Sequence, residues 1–370
     1  MTETGRLAAW LGYGKGFEIR EYPVPDPAPG AVVIRVALAN VCGSDMHYWK
    51  GEYDFAKRGR PLPLNTGHEH TGRIHRLGAG VTTDSTGKPL REGDRVIYRY
   101  FVPCGRCRAC LRRTFKSCPE RMAIWSQTCD AWPHFQGGYG DYFYLGPNHA
   151  IFRLPDEITE QMAAGINCAF TQVYAALEIG GLRTGQTVAI QGAGGLGVYA
   201  CAVAREMGAA RVIVIDGVDE RLALARQFGA DDAVDLREFR EPAARVERVR
   251  ALTDGWGADV VMELVGNPNV VDEGLRMLAL EGTYLEVGNI NAGWETRIDP
   301  SWLLFGNRRM IGLNHYEAEH LQATLELMVR TRTRYPYERI LSHTFPLGEI
   351  NEAFRQQEDG HVTRAGIVTA

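Results

Sequence analysis

The sequence predicts an α/β protein, in which a doubly wound parallel sheet accompanies a β-rich unit. Three observations lead there. Residues 187–216, TVAIQGAGGLGVYACAVAREMGAARVIVID, spell strand, glycine turn, helix, strand and terminal acid, the order that a dinucleotide-binding βαβ unit requires. From about residue 155 onward short β-branched runs alternate with helical patterns, whereas the first 150 residues or so hold short strands punctuated by Gly and Pro. A chain of 370 residues is also long enough for two domains rather than one.

Taken in order, residues 31–38 (AVVIRVAL) follow the proline-rich EYPVPDPAPG and read as a buried strand. Shorter strands are predicted over 72–77, 95–100 and 141–145. The two strands of the glycine-turn unit come next, at 187–190 and 211–215. Four more follow at 233–235, 259–263, 283–287 and 310–313. Six strands with helical crossovers suit a doubly wound sheet. Beyond residue 317, LQATLELMVR and INEAFRQQ have helical periodicity and 365–369 is strand-like, and this tail is expected to return to the first domain. The resulting boundaries are 1–153, 154–305 and 306–370. The charged run EFREPAARVERVR reads as a solvated helix face. No internal repeat is evident beyond the two halves of the sheet.

Within the turn each glycine has a mechanical task. Gly192 permits the tight turn, Gly194 lets the backbone approach a pyrophosphate, and Gly197 allows close helix–strand packing. Gly195 and Leu196 open the helix whose free N–H groups would hold that pyrophosphate. Asp216, ending the second strand, is placed to accept from a ribose 2′-hydroxyl, which favours NAD over NADP. Arg221 lies close enough in sequence to pair with a 2′-phosphate instead. Val287, at the end of the fifth strand, completes the predicted cofactor-binding set.

Composition narrows the class of protein. Hydrophobic content is 45% and net charge −4, with no basic tract, so nothing favours nucleic acid or an anionic membrane as partner. The opening MTETGRLAAW lacks a basic segment followed by an apolar one, so no secretory signal is expected. No stretch approaches the roughly 18 apolar residues of a membrane span. Eight cysteines without an export signal suggest metal ligands or thiols rather than disulfides, and a cytoplasmic setting.

Four of those cysteines, Cys104, Cys107, Cys110 and Cys118, form C-x2-C-x2-C-x7-C. Two-residue gaps let neighbouring sulfurs converge on one ion, and four thiolates close a tetrahedral zinc shell. The following Cys118-Pro119 also fits an iron–sulfur pattern, and a disulfide pair is a third reading; structural zinc is favoured. A second set is scattered: Cys42 in NVCGSDMHYW, His68-Glu69 in NTGHEHTG and Cys168 in INCAFTQVY. Taken singly, each is better explained as a packed thiol or a hydrogen-bonded structural histidine. Together, beside a dinucleotide fold, they suggest an open three-ligand zinc site. Cys129 and Cys201 are left over and read as structural thiols.

The spacing Gly67-His68-Glu69-x2-Gly72-x5-Gly78-x2-Val81, the CGSD at 42–45, the four-cysteine lobe and the glycine turn together resemble the zinc-dependent medium-chain alcohol dehydrogenases. These belong to the medium-chain dehydrogenase/reductase superfamily, and the resemblance runs along essentially the whole chain. It implies a Rossmann domain inserted in a GroES-like catalytic domain, NAD, and two zinc ions per chain. The catalytic zinc would be held by Cys42, His68 and Cys168, with Glu69 nearby, and the structural zinc by the four-cysteine lobe. Asp45 would orient His68, and Ser44 and His47 stand where the family's proton relay runs. The implied reaction takes hydride from an alcohol to the nicotinamide, giving a ketone or aldehyde. Tyr48 and Trp49 are expected to line the substrate pocket. Relatives acting on polyols often carry Glu where Cys168 stands, which favours a hydrophobic secondary or cyclic alcohol. A polyol of the sorbitol, xylitol or threonine type is the alternative. The resemblance also implies a homodimer or homotetramer. Two rival classes stay open: a zinc-free reductase of the same fold, and a non-catalytic protein binding zinc and dinucleotide. The aromatic stretch 122–139 matches no motif.

Overall fold

The computed structural model describes residues 3–369. The chain first lays down eight strands: β1 (Thr4–Trp10), β2 (Phe17–Pro23), β3 (Val32–Asn40), β4 (Leu64–Asn65), β5 (Glu69–Leu77), β6 (Arg95–Tyr98), β7 (Tyr142–Leu145) and β8 (Ile151–Arg153). β3 is the organising strand. Its VVIRVALAN is buried throughout apart from Arg35 and, in part, Ala37, because β5 and β7 both pair with it. β1 and β2, an antiparallel pair, were not legible in the sequence. Of β2 only Phe17 is fully buried, so FEIREYP carries little apolar alternation.

Six parallel strands follow: β9 (Thr187–Gln191), β10 (Arg211–Asp216), β11 (Asp232–Asp235), β12 (Ala258–Glu263), β13 (Leu278–Glu286) and β14 (Arg309–Gly312). They line up as β11-β10-β9-β12-β13-β14, the doubly wound order 3-2-1-4-5-6. Their apolar side chains build a core of residues such as Ile213, Ile215, Val261 and Tyr284. β13 begins several residues before the predicted 283. The charged run folds as a helix, Pro242–Ala251, that buries only Val249.

The last strands, β15 (His343–Pro346) and β16 (Ala365–Val368), rejoin the β-rich sheet, with β16 antiparallel to β3. The helices Ala318–Thr331 and Ile350–Glu358 lie in this tail. Two compact units result: residues 3–168, 315–333 and 337–369 in one, 169–314 and 334–336 in the other. The divisions fall at 168/169 and 314/315 rather than at 153/154 and 305/306. Helix Glu160–Ala163 packs on β3 and β5 and so belongs to the first unit. β14 completes the parallel sheet and so belongs to the second.

Candidate active site

The scattered metal-ligating residues meet in the first unit. β3 ends at Asn40, and antiparallel register sets Asn40 opposite Glu69, the first residue of β5. Two residues past Asn40, Cys42 caps the short helix Gly43–Trp49. His68 immediately precedes β5, so the register alone brings Cys42 and His68 to one place. Cys168 arrives on a wide helical turn, Ile166–Phe170, which Asn167 fastens by donating from Nδ2 to the His70 carbonyl at 3.1 Å. Ligand atoms of Cys42, His68, Glu69 and Cys168 all lie within 4.8 Å of one another.

The polar surroundings orient this set. Asp45 Oδ1 faces His68 Nδ1 at 3.3 Å, which turns Nε2 toward the cluster. Asp45 is itself held at Oδ2 by the Cys42 N–H (3.0 Å) and the Tyr139 hydroxyl (2.7 Å). Ser44 Oγ sits 3.3 Å from His68 Nε2. The Cys168 thiol and then the His68 ring stabilise thiolate on Cys42, holding its pKa well below the usual thiol value. Burial opposes charge on His68, but Asp45 and Cys42 outweigh it and raise the ring to about 10. Glu69 is fully buried. Its Oε2 accepts from Arg364 and, at 3.5 Å, from Asn40 Nδ2, whereas Oε1 has no partner among the described residues. A buried carboxylate oxygen without a donor is costly. The two thiols and the imidazole make a three-donor set suited to zinc with one position left over, and this carboxylate oxygen lies within reach of it.

The second set closes locally. Cys107 and Cys110 Sγ are 3.6 Å apart, Cys107 and Cys118 3.8 Å, and Cys104 and Cys110 4.0 Å. Zn–S bonds of about 2.3 Å in a tetrahedron give S···S edges of about 3.8 Å. The four sulfurs therefore fit one zinc ion. The Cys110 N–H and neighbouring thiols lower Cys107 to about 7, toward the thiolate that ligation requires.

In the second unit the glycine turn joins β9 to helix Gly195–Glu206, with Gly194 at its N-cap. Gly192 has φ +95°, and a Cβ on Gly197 would stand 1.9 Å from the Gly192 carbonyl oxygen. Nothing lies within 4 Å of a Cβ built on Gly194, so that side of the turn is open to a ligand. Asp216 ends β10 and its carboxylate accepts from Ala193, Gly217 and Val218 N–H at 2.8, 2.8 and 3.0 Å. It thus fastens the turn, a role the sequence did not suggest. Arg221 Nη1 is 3.9 Å from Asp216 Oδ2, and Val287 follows directly on β13.

Two expected pocket residues belong elsewhere. Tyr48 is 4% exposed and packs with Trp10, Phe17, Phe55 and Phe354 in the main core of the first unit. Its hydroxyl meets Thr66 Oγ1 at 3.0 Å. The Trp49 ring lies on the same aromatic cluster and its Nε1 donates to Glu358 at 2.6 Å. Tyr48 is a core aromatic and Trp49 a half-buried ring packed against the same cluster, because the helix face that carries them turns toward Trp10 of β1 and Phe354 of helix Ile350–Glu358. His47 Nδ1 pairs with Glu52. A ring that does stand beside the metal set is Tyr100, with its centroid 5.1 Å from that of His68. Tyr100 also borders a hollow of about 360 Å³ whose lining includes Val102, Ile124, Trp132 and Arg121. Stretch 122–139 therefore divides: Trp132 faces the hollow, while Cys129 and Phe135 are buried. Tyr100, Arg364 and Asn40 carry no spacing rule that would have singled them out.

A thiol and imidazole set suited to zinc in one unit, and a doubly wound sheet of the nucleotide-binding kind in the other, define the class of metal- and dinucleotide-dependent oxidoreductases. Residues 28–156 match the alcohol dehydrogenase GroES-like domain and residues 195–330 the zinc-binding dehydrogenase domain. The chain is 32% identical to 5-exo-hydroxycamphor dehydrogenase of Pseudomonas putida, over 99% of its own length and 97% of the relative's. It is 29% identical to D-arabitol-phosphate dehydrogenase of Enterococcus avium, over 93% and 91%. An alcohol dehydrogenase from Thermotoga maritima superposes with a TM-score of 0.90 over 99% of both chains at 26% identity. The chain belongs to the zinc-dependent medium-chain alcohol dehydrogenases. It is an oxidoreductase that exchanges hydride between an alcohol and a nicotinamide dinucleotide.

Proposed function

We propose that the protein oxidises a hydrophobic secondary or cyclic alcohol to its ketone, with NAD as acceptor and two zinc ions per chain. The observation that carries the reading is the convergence of Cys42, His68 and Cys168, with Glu69, on one point beside Tyr100. Cys42, His68 and Cys168 would hold the catalytic ion, and Cys104, Cys107, Cys110 and Cys118 the structural one. Bound zinc supplies Lewis acidity that makes an alcohol a stronger acid. The residues do the rest. Asp45 fixes His68 so that Nε2 serves as ligand. Ser44 Oγ stands where it takes the departing proton, and His47, steadied by Glu52, is the relay's outer member. Gly192, Gly194, Gly195, Leu196 and Gly197 hold the pyrophosphate, Asp216 the ribose and Val287 the nicotinamide. Asp216 disfavours a 2′-phosphate by like charge.

Two features support the substrate class. Cys168 takes the place where polyol-oxidising relatives often carry Glu. A relative is named for 5-exo-hydroxycamphor, a compact cyclic alcohol. Apolar walls favour buried carbon at about 0.8 kcal/mol per methylene, whereas every added hydroxyl needs a partner or costs desolvation. The resemblance to D-arabitol-phosphate dehydrogenase keeps a polyol as the second reading. The deciding measurement is kcat/KM for cyclohexanol or a longer 2-alkanol against sorbitol and xylitol, each with NAD and NADP. Preference for the ring or alkanol with NAD is expected; preference for the polyols overturns the substrate class, and equal use of NADP overturns the role of Asp216.

The same reading makes the protein a homodimer, or a homotetramer built from it. β14 is the edge of the parallel sheet, and Leu304 and Phe305 beside it are 71% and 83% exposed, an edge a second copy would cover. No helix among the described residues is long and apolar enough to cross a membrane. The cysteines of the described residues are all free, in keeping with a cytoplasmic setting.

A further inference from the structure

We propose that Tyr316 and Asn167 form a clasp that sets the position of Cys168, which makes Tyr316 a positioning residue for the catalytic metal. The inference rests on the three-ligand reading above. Cys168 is the last residue of the first unit before the chain enters the second. On its C-terminal side, Phe170 already belongs to the second unit, where its ring stacks on Tyr199 of helix Gly195–Glu206 with centroids 4.6 Å apart. Cys42 and His68 lie in the first unit. The hold that keeps Cys168 in register with them therefore falls to its N-terminal side, at Asn167.

Asn167 is fully buried and is gripped twice. Its Nδ2 donates to the carbonyl of His70, two residues beyond the ligand His68 on β5, at 3.1 Å. Its main-chain carbonyl accepts from the Tyr316 hydroxyl. Tyr316 is fully buried as well, and its ring meets Phe101 edge-on with centroids 5.3 Å apart. It stands one residue past the 314/315 division, where the chain re-enters the first unit. The bond thus ties the segment by which the chain leaves the first unit to the segment by which it returns. The returning segment is itself fixed, because Glu317 and His320 cap helix Ala318–Thr331. Asn167 Oδ1, by contrast, has no donor among the described residues. A buried amide with an orphaned oxygen is costlier than an apolar side chain of the same shape. Filling space does not account for an Asn here; a donor held on the strand next to His68 does.

Both bonds act beside Cys168 and not on its sulfur, so they reach the metal through the placement of the ligand. Groups that orient metal ligands are typically worth about 10–100-fold in metal affinity, and a bond acting through one peptide unit belongs at the low end. Without the hydroxyl, Cys168 Sγ spends more time away from the point it shares with Cys42 and His68. The four-cysteine site closes on itself in a separate lobe, so its ion serves as an internal reference.

The test compares the unaltered protein with Tyr316→Phe, which keeps the ring against Phe101 and removes only the hydroxyl. Zinc release to a chromogenic chelator should show a fast phase from the open three-ligand site and a slow phase from the closed four-thiolate site. Tyr316→Phe is expected to speed the fast phase about tenfold and to leave the slow phase unchanged. With cobalt in the three-ligand site, the thiolate-to-cobalt charge-transfer band should weaken or shift in the variant, a signature that a loss of stability alone would not produce. Equal acceleration of both phases, a fast phase at the unaltered rate, or an unchanged cobalt band overturns the proposal, whatever the melting temperature does. Asn167→Ala releases the grip on the His70 carbonyl and should show the same changes; it decides the matter if Tyr316→Phe does not fold. An unaltered protein that takes up no ion outside the four-thiolate site would overturn the three-ligand reading itself, and this proposal with it.

Discussion

Replacing Gly197 by Ala separates the mechanical tasks of the glycine turn. A methyl group there would stand 1.9 Å from the Gly192 carbonyl oxygen, where a contact near 3 Å is the practical minimum. The turn and the first coil of helix Gly195–Glu206 must therefore separate by about an ångström. Forced overpacking of this kind costs roughly 1–3 kcal/mol, which lowers the melting temperature of a unit this size by about 2–4 °C per kcal/mol. The same ångström displaces the N–H groups proposed to hold the pyrophosphate, and misplacement on that scale costs about 10²-fold where geometry is critical. Gly194→Ala supplies the control. Its methyl group meets nothing within 4 Å, so stability should hold, while a bound pyrophosphate would be crowded. Tryptophan-to-NADH energy transfer and thermal unfolding read the two effects. Gly197→Ala should lose both affinity and stability, and Gly194→Ala affinity alone. Zinc content should change in neither, because all seven proposed ligands lie in the other unit. A Gly197→Ala protein that binds NADH within threefold of the unaltered one, at an unchanged melting temperature, would refute the reasoning.

Two further outcomes follow from the metal sets and the relay. Mild chelation should abolish activity before the fold is lost, since the four-thiolate site is closed and the Cys42/His68/Cys168 site keeps an open position; one zinc per chain by elemental analysis, with Cys168→Ser fully active, would show the ligand assignment to be wrong. His47→Gln should slow alcohol oxidation near neutral pH by somewhat less than the roughly 10²-fold of a direct general base, with zinc content and NAD affinity unchanged and partial rescue by an amine buffer. An unaltered rate across the pH range would leave His47 as a half-exposed partner of Glu52 and nothing more.

Features encoded within short stretches were legible before any coordinates. The strand–GAGGLG–helix–strand–Asp216 unit could be read because turn chemistry and periodicity are local, and so could the four cysteines of one short lobe, whose sulfurs the chain closes on itself. The doubly wound class of the six-stranded sheet followed from the alternation of strands and helices, since crossovers of one hand leave few topologies, whereas the order of its strands came from the structure. The Cys42, His68 and Cys168 set was suggested by residue type in the company of a dinucleotide fold, and its roles only by a resemblance. Nothing in the residues near Cys42, His68 or Cys168 states that they meet; the register of β3 on β5 and the Asn167–His70 bond decide it. Helix Gly43–Trp49 shows the limit most directly. Periodicity assigns its residues to faces, but only the packed aromatic cluster determines which face is core, and it takes Tyr48 and Trp49. Tyr100 and Arg364 lie on elements separate from those that carry His68 and Glu69, the residues they meet. What brings each to its partner is long-range packing, in which burial changes the meaning of a side chain that local sequence leaves ordinary.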